Sequence, residues 1–167
     1  MNYREVVLRT ANRVPYEDRL LCSAFGLCSK SGDVVELIQK TSFHNVPFDK
    51  ENLIKDLGDV FWYLELACIS LNVKLTDKSD ILSDVSDDHL LLKLSLKLIK
   101  RASWCADHIS DHKLDRKPFH DTEMEKRLNE INSCLKYFAD YLDTTVESIQ
   151  AKNYQKLKLN YPEGFDF

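Results

Sequence analysis

Glycine and proline are scarce in this chain, four of each in 167 residues, which excludes collagen-like and Pro-rich architectures and lets long helices run unbroken. No apolar run approaches the ~18–20 residues of a membrane-spanning helix, so no membrane partner is expected. Basic residues do not outnumber acidic ones. The formal net charge is −4, whereas a nucleic-acid footprint needs the opposite sign. The opening Met1-Asn2-Tyr3-Arg4-Glu5 has no secretory-signal pattern. The cysteines (Cys22, Cys28, Cys68, Cys105 and Cys134) are odd in number, scattered and without a Cys-x-x-Cys spacing. That pattern predicts small core residues in a reducing cytosol, not disulfides. A phosphate-cradling glycine loop and a Gly-x-Ser-x-Gly nucleophile elbow are both missing.

What is present is helical periodicity. With 44% hydrophobic residues the chain has apolar surface enough for one substantial core, and a single domain over 1–167 is expected. The apolar spacing predicts helices near 3–12, 17–42, 50–72, 78–110, 122–143 and 146–160. Asp49, with Asn52 three residues on, reads as a helix start, as do Thr76 and Thr144 after Leu71 and Leu142. No segment sustains period-2 alternation, so the predicted fold class is all-α. The stripe of Leu90, Leu91, Leu92, Leu94, Leu96, Leu98 and Ile99 is expected in the core.

Two helical segments concentrate the chemistry. In one, Asp33 and Glu36 lie one turn apart, with Lys30 a turn earlier. In the other, Asp56, Asp59 and Tyr63 stand at i, i+3 and i+7, so two acids and an aromatic share a stripe. Two helices that each aim a carboxylate pair inward can build a Mg²⁺ site in a bundle, because a hard cation takes oxygen ligands in an octahedral shell. Two solvated acidic faces would give the same spacing.

The surrounding order narrows the choice. Gly26-Leu27 precedes the first segment, and Leu37-Ile38-Gln39-Lys40 and Phe43-His44 follow it. Next comes Asp56-Leu57-Gly58-Asp59-Val60-Phe61-Trp62-Tyr63-Leu64. Near the end stand Asn153-Tyr154-Gln155-Lys156-Leu157 and Asn160-Tyr161-Pro162-Glu163-Gly164-Phe165. Over about residues 20–75 and 147–165 this order resembles the MazG-like, all-α nucleoside triphosphate pyrophosphohydrolases, notably short phage and bacterial members. The resemblance implies a four-helix bundle in the cytoplasm that cleaves a nucleoside triphosphate to the monophosphate and pyrophosphate with Mg²⁺, or with Mn²⁺ in its place. It places Asp33, Asp56 and Asp59 as metal-holding catalytic residues. It places Tyr63, Asn153, Lys156 and Tyr161 around the nucleotide, the last three in a terminal segment that closes over it; the same segment read by itself equally caps a helix and packs a tail. His44 matches the family's loop histidine by position.

One position departs from the family. Its metal motif falls on Lys30, Asp33, Asp56 and Asp59, so a lysine stands where the first glutamate belongs. Four carboxylates carry about −4, and this set carries about −2. An ammonium cannot ligate Mg²⁺ and repels it at short range. Three readings follow: Glu36 completes the metal shell, Lys30 contacts phosphate as a point charge, or the site binds a nucleotide without cleaving it.

The chain also repeats itself at an offset of 71. Pro47-Phe48 falls on Pro118-Phe119, and Leu20, Leu27, Ile38, Leu57, Leu64 and Leu71 fall on Leu91, Leu98, Ile109, Leu128, Leu135 and Leu142. Two tandem helical hairpins, near 17–75 and 88–146, are expected, followed by a terminal helix and tail from 147 to 167. A fused second hairpin closes a four-helix core that one hairpin completes only by dimerising. The duplicated chain can stand alone or pair again through remaining apolar surface. Under the offset, the site positions become Arg101, Trp104, Arg127 and Glu130, which cannot hold Mg²⁺. Elsewhere, His108 and His112 at i, i+4 have zinc-compatible spacing without a third ligand and read as a solvated helix end. Trp62, about 100° around the helix from Tyr63, is expected in the core.

Overall fold

The computed structural model describes residues 2–76 and 89–162. Among them it is all-helical, with no strand. The helices are α1 (Tyr3–Thr10), α2 (Arg19–Phe43), α3 (Lys50–Leu71), α4 (Leu90–Lys113), α5 (Asp121–Tyr141) and α6 (Val146–Asn160), with a short 3₁₀ turn at Tyr16–Asp18 before α2. No described helix is long and apolar enough to cross a membrane.

Local chemistry sets the boundaries. Asp49 caps α3 as expected, its carboxylate accepting the Asn52 N–H at 3.0 Å. The α6 cap is Thr145 and not Thr144. Thr145 adopts the extended backbone of a cap, φ −117° and ψ 157°, and its hydroxyl accepts from Ser148 N–H. Thr76 N–H and hydroxyl both go to Asn129 Oδ1, at 2.7 and 3.2 Å, and the helix expected after it begins outside the described residues. The part of the expected 78–110 helix that precedes residue 89 lies outside the described residues, and α4 runs three residues beyond 110.

Packing follows the apolar faces. α2 lies against both α3 and α4, α5 against both α4 and α3, and α1 and α6 against α3. Leu27, Val34 and Ile38 of α2 meet a core that includes Leu57, Val60 and Leu64 of α3, Leu98 and Ile109 of α4, and Leu128, Ile131 and Phe138 of α5. The leucine stripe on α4 divides. Leu90, Leu94 and Leu98 are buried, but Leu96 is 62% exposed, because three i, i+4 positions fill one face and leave Leu96 on the other. Cys68, Cys105 and Cys134 are buried and Cys22 and Cys28 half-buried, all as free thiols.

The 71-residue offset also appears in the backbone. Adding 71 to 19–43 gives 90–114, against 90–113 for α4. Adding it to 50–71 gives 121–142, against 121–141 for α5. Among the described residues the non-glycine positions with positive φ are Asn45 (55°), Asn72 (53°), Arg116 (58°) and Asp143 (49°). They form two pairs, 45 with 116 and 72 with 143, each separated by 71. Left-handed backbone is uncommon outside glycine, so this correspondence owes nothing to shared apolar composition.

Candidate functional site

Two glycines bring the walls of the site together. Gly26 of α2 lies flush under the ring of Tyr63 on α3: a Cβ there would come within 2.0 Å of the ring. Gly58 does the same for α6, since a Cβ would meet Asn153 Cβ at 2.9 Å. Further along α2 and α3, Lys30 lies in the field of Asp59, and Asp33 in that of Asp56. Numbers rise on α2 as they fall on α3, so the two helices run antiparallel and stack these pairs turn by turn.

The acids are already partnered. Lys30 Nζ donates to Asp33 Oδ2 at 2.8 Å. Lys156 Nζ reaches both oxygens of Asp59, at 2.6 and 2.5 Å. Asp59 Oδ1 also accepts from Asn153 Nδ2 at 2.9 Å, and Asn153 Oδ1 accepts from the Tyr3 hydroxyl at 2.7 Å. Asn153 is buried and stands behind Asp59, so its amide orients that carboxylate. Glu36 pairs with Lys40, at 2.6 Å.

These residues border two neighbouring cavities instead of one. Asp33, Glu36 and Asp56 share an open cavity of about 310 Å³ with the 46–49 loop. Lys30, Asp59, Tyr63, Lys156 and Tyr161 share a second, of about 390 Å³. Asp33 and Asp56 thus line one cavity, and Asp59 and Tyr63 the other. The expectation for Trp62 is corrected. It is half-buried and lines the second cavity, where its indole N–H donates to Thr10 Oγ1 at 2.7 Å and its ring meets Tyr63 edge-on. Arg13, Val14 and Thr10 complete this wall from α1 and the segment after it. No periodicity marks that segment, and sequence reasoning passed over it.

The fields match the geometry. Burial, then Asp33 and Asp59, push the Asp56 carboxyl above its ordinary range. The hydrogen bond to Asp33 holds the Lys30 ammonium above its usual value. Burial, then Asp59 and Glu65, push the Tyr3 phenol well above its own, keeping it a neutral donor to Asn153.

The donor set as it stands does not fit a magnesium shell. Among the described residues no three His, Cys, Asp or Glu side chains lie close enough to hold a metal ion. Asp33 and Asp59 accept from ammonium groups, and Glu36 pairs with Lys40. His108 and His112 form no metal pair either. His108 Nε2 accepts the His120 N–H at 3.0 Å, its ring between Trp104 and Phe119, while His112 Nδ1 meets Lys117 O at 3.1 Å. Both imidazoles organise the α4–α5 loop. His44 is exposed at the end of α2.

The positions equivalent to the site also converge. Arg101 and Arg127 both pair with Glu130, and Arg127 lies over the Trp104 ring, 5.4 Å from its centroid. No family model, curated protein or solved structure matches this chain.

Proposed function

We propose that this chain is a MazG-like four-helix bundle of two fused hairpins whose first hairpin keeps a nucleotide cleft, and that the cleft binds a nucleotide without needing a metal. The duplication is supported by the matching helix bounds and paired left-handed residues, and by the way Lys30, Asp33, Asp56 and Asp59 map onto another convergent cluster. The binding reading rests on one observation: the two acids nearest the cleft are each held by a lysine, Lys30 on Asp33 and Lys156 on Asp59. Those ammonium groups are the donors a phosphate needs, and a phosphate can exchange for the carboxylates they hold. Trp62, Tyr63 and Tyr161 supply flat surfaces for a base.

A second reading, hydrolysis of a nucleoside triphosphate to the monophosphate and pyrophosphate with Mg²⁺, is favoured by Asp56. Its carboxyl is raised partly by two like charges, a repulsion that a divalent ion would relieve.

Incubating the protein with each NTP and dNTP plus Mg²⁺ or Mn²⁺, while titrating the same nucleotides in EDTA, separates the readings. The binding reading expects saturation in EDTA and no pyrophosphate; pyrophosphate release would establish hydrolysis in its place. Lys30→Glu restores four carboxylates and should weaken metal-free binding while bringing in Mg²⁺-dependent turnover. Unchanged binding in EDTA would show that Lys30 does not face the ligand.

A further inference from the structure

We propose that the outer face formed by α2 and α4 together receives a second copy of this chain, giving a symmetric dimer. The face follows from the 71-residue offset and owes nothing to what the cleft binds. Four large apolar side chains stand out from it: Phe25 (72% exposed), Phe43 (66%), Leu96 (62%) and Leu114 (62%). They form two pairs at the offset, Phe25 with Leu96 and Phe43 with Leu114. Phe25 and Phe43 are 18 residues apart, as are Leu96 and Leu114, which is five whole helical turns. Each helix, with Leu114 just past the end of α4, therefore carries its two on one stripe. Tyr141 and Leu159 are also exposed, but the offset sets Ser70 and Asp88 against them.

The two stripes border one seam. α4 packs antiparallel to α2: Lys113 Nζ, at its end, reaches Glu17 O at 3.3 Å just before α2 begins, and Ser103, near its middle, hydrogen-bonds Cys28. Ser103 is exposed and stands on the Leu96 stripe, so that stripe adjoins α2, and by the offset Gly32 on the Phe25 stripe adjoins α4. An antiparallel pair of equivalent helices has a local two-fold axis through its seam, so each apolar group on one half of the face recurs on the other. A second copy turned onto it uses both halves alike, the self-complementary contact of an isologous interface, whereas an unrelated partner would gain nothing from the repeat.

Area and charge fit such a contact. α2 has 25 residues and α4 has 24, so each is about 36 Å long at 1.5 Å per residue. Side by side, at about 10 Å of width each, they present about 700 Å², close to the ~800 Å² per partner of a stable interface. Along the stripes Glu36 pairs with Lys40 and Asp111 with Lys117, while Lys100 and Asp107 are of opposite sign. No field of a single sign therefore opposes a second copy, although the whole chain carries −4. Ser29, Gly32 and Ser103 keep the middle of the face low, and nothing lies within 4 Å of a Cβ on Gly32.

Sedimentation equilibrium of the full chain over a dilution series tests this, and should give twice the 19.4 kDa monomer mass at high concentration. Phe25→Ser and, separately, Leu96→Ser should each weaken the dimer by at least about tenfold with helix content unchanged by circular dichroism. Leu159→Ser, which removes an exposed apolar residue of α6, should leave the dimer intact. Gly32→Trp adds apolar surface at the centre of the face where the folded chain has room for it, and should still weaken the dimer, because the added ring obstructs close packing. A tighter dimer in that variant would mean unspecific apolar contact and overturn the proposal. So would a monomer at every concentration, a dimer indifferent to Leu96→Ser, or one lost on Leu159→Ser.

Discussion

Replacing Gly26 by alanine should do almost nothing to the helix and a great deal to the cleft. The new Cβ would stand 2.0 to 2.2 Å from three atoms of the Tyr63 ring, where carbon atoms in contact lie about 3.5–4.0 Å apart. The ring must therefore move by about 1.5 Å or more. Overpacking of this kind costs about 1–3 kcal/mol, while exchanging glycine for alanine inside a helix returns about 1 kcal/mol. The net loss is then about 0–2 kcal/mol, since the half-buried ring can swing into the cleft it borders. At a few degrees per kcal/mol for a chain of this size, the midpoint should fall by less than about 8 °C, but ligand affinity should fall sharply.

A double-mutant cycle isolates the cause. In a Tyr63→Ala background the obstruction is gone, so Gly26→Ala should now stabilise by about 1 kcal/mol. Urea denaturation of the four proteins should give a coupling of about 1–3 kcal/mol. Gly32→Ala is the control, because nothing lies within 4 Å of a Cβ there, and it should stabilise in either background. Additivity of the Gly26 and Tyr63 changes to within about 0.5 kcal/mol would refute the claim that this glycine seats the aromatic wall.

Asp56→Asn should raise thermal stability at neutral pH. The folded-state pKa of Asp56 is raised, so its ionised form opposes folding, and the gain should shrink as pH drops through the carboxylate range and both proteins carry a neutral side chain; a gain that persisted at low pH would point to another cause. Tyr3→Phe leaves the buried Asn153 carbonyl without its 2.7 Å donor and should cost about 1–3 kcal/mol in urea denaturation; a neutral result would mean water replaces the hydroxyl. Burial pushes Cys105 and Cys134 up to about 12 and raises Cys68 as well, so a thiol reagent at pH 8 should label only Cys22 and Cys28 until the protein is unfolded.

Particular residues show how much was legible beforehand. Helix existence and type followed from apolar spacing, and the Asp49 cap from its own chemistry. Asp59 and Tyr63 were placed on one stripe because positions four apart share a face whatever else the chain does, whereas Lys30, on another helix, came to that site only through the resemblance. The misses depend on distant groups. Trp62 was expected in the core because its neighbour claimed the site face, but its indole N–H needed a partner and found Thr10, on a helix nothing in the 50–72 pattern could place. Asn153 was assigned to the nucleotide, and nothing local said that Tyr3, 150 residues away, would draw its amide behind Asp59. The split into two cavities was invisible for a related reason. Spacing says which side chains share a face, and not which cavity each of them lines.

The cluster at the 71-residue offset contrasts with the residues of the first cleft. Arg101, Trp104, Arg127 and Glu130 stand at the positions of Lys30, Asp33, Asp56 and Asp59, and they meet in the same way across α4 and α5, with guanidinium groups on Glu130 and over an indole. Where the first copy has Gly26 under Tyr63, the second has Lys97 and Cys134, and it therefore lacks both the aromatic wall and the glycine that seats it. A helical pair that has filled its own polar site with bidentate-capable arginines no longer opens to a small anion, because the ligand would have to displace planar guanidinium pairs that are less than a quarter exposed. The first copy holds its acids with lysines, which are single-point donors on flexible stems, and α6 covers one side of it through Lys156. On the proposed reading, the offset positions thus give one polar cluster held by arginines and one cleft whose acids are held by lysines. What separates them is the choice of arginine or lysine at equivalent turns and the two glycines that let Tyr63 and Asn153 approach.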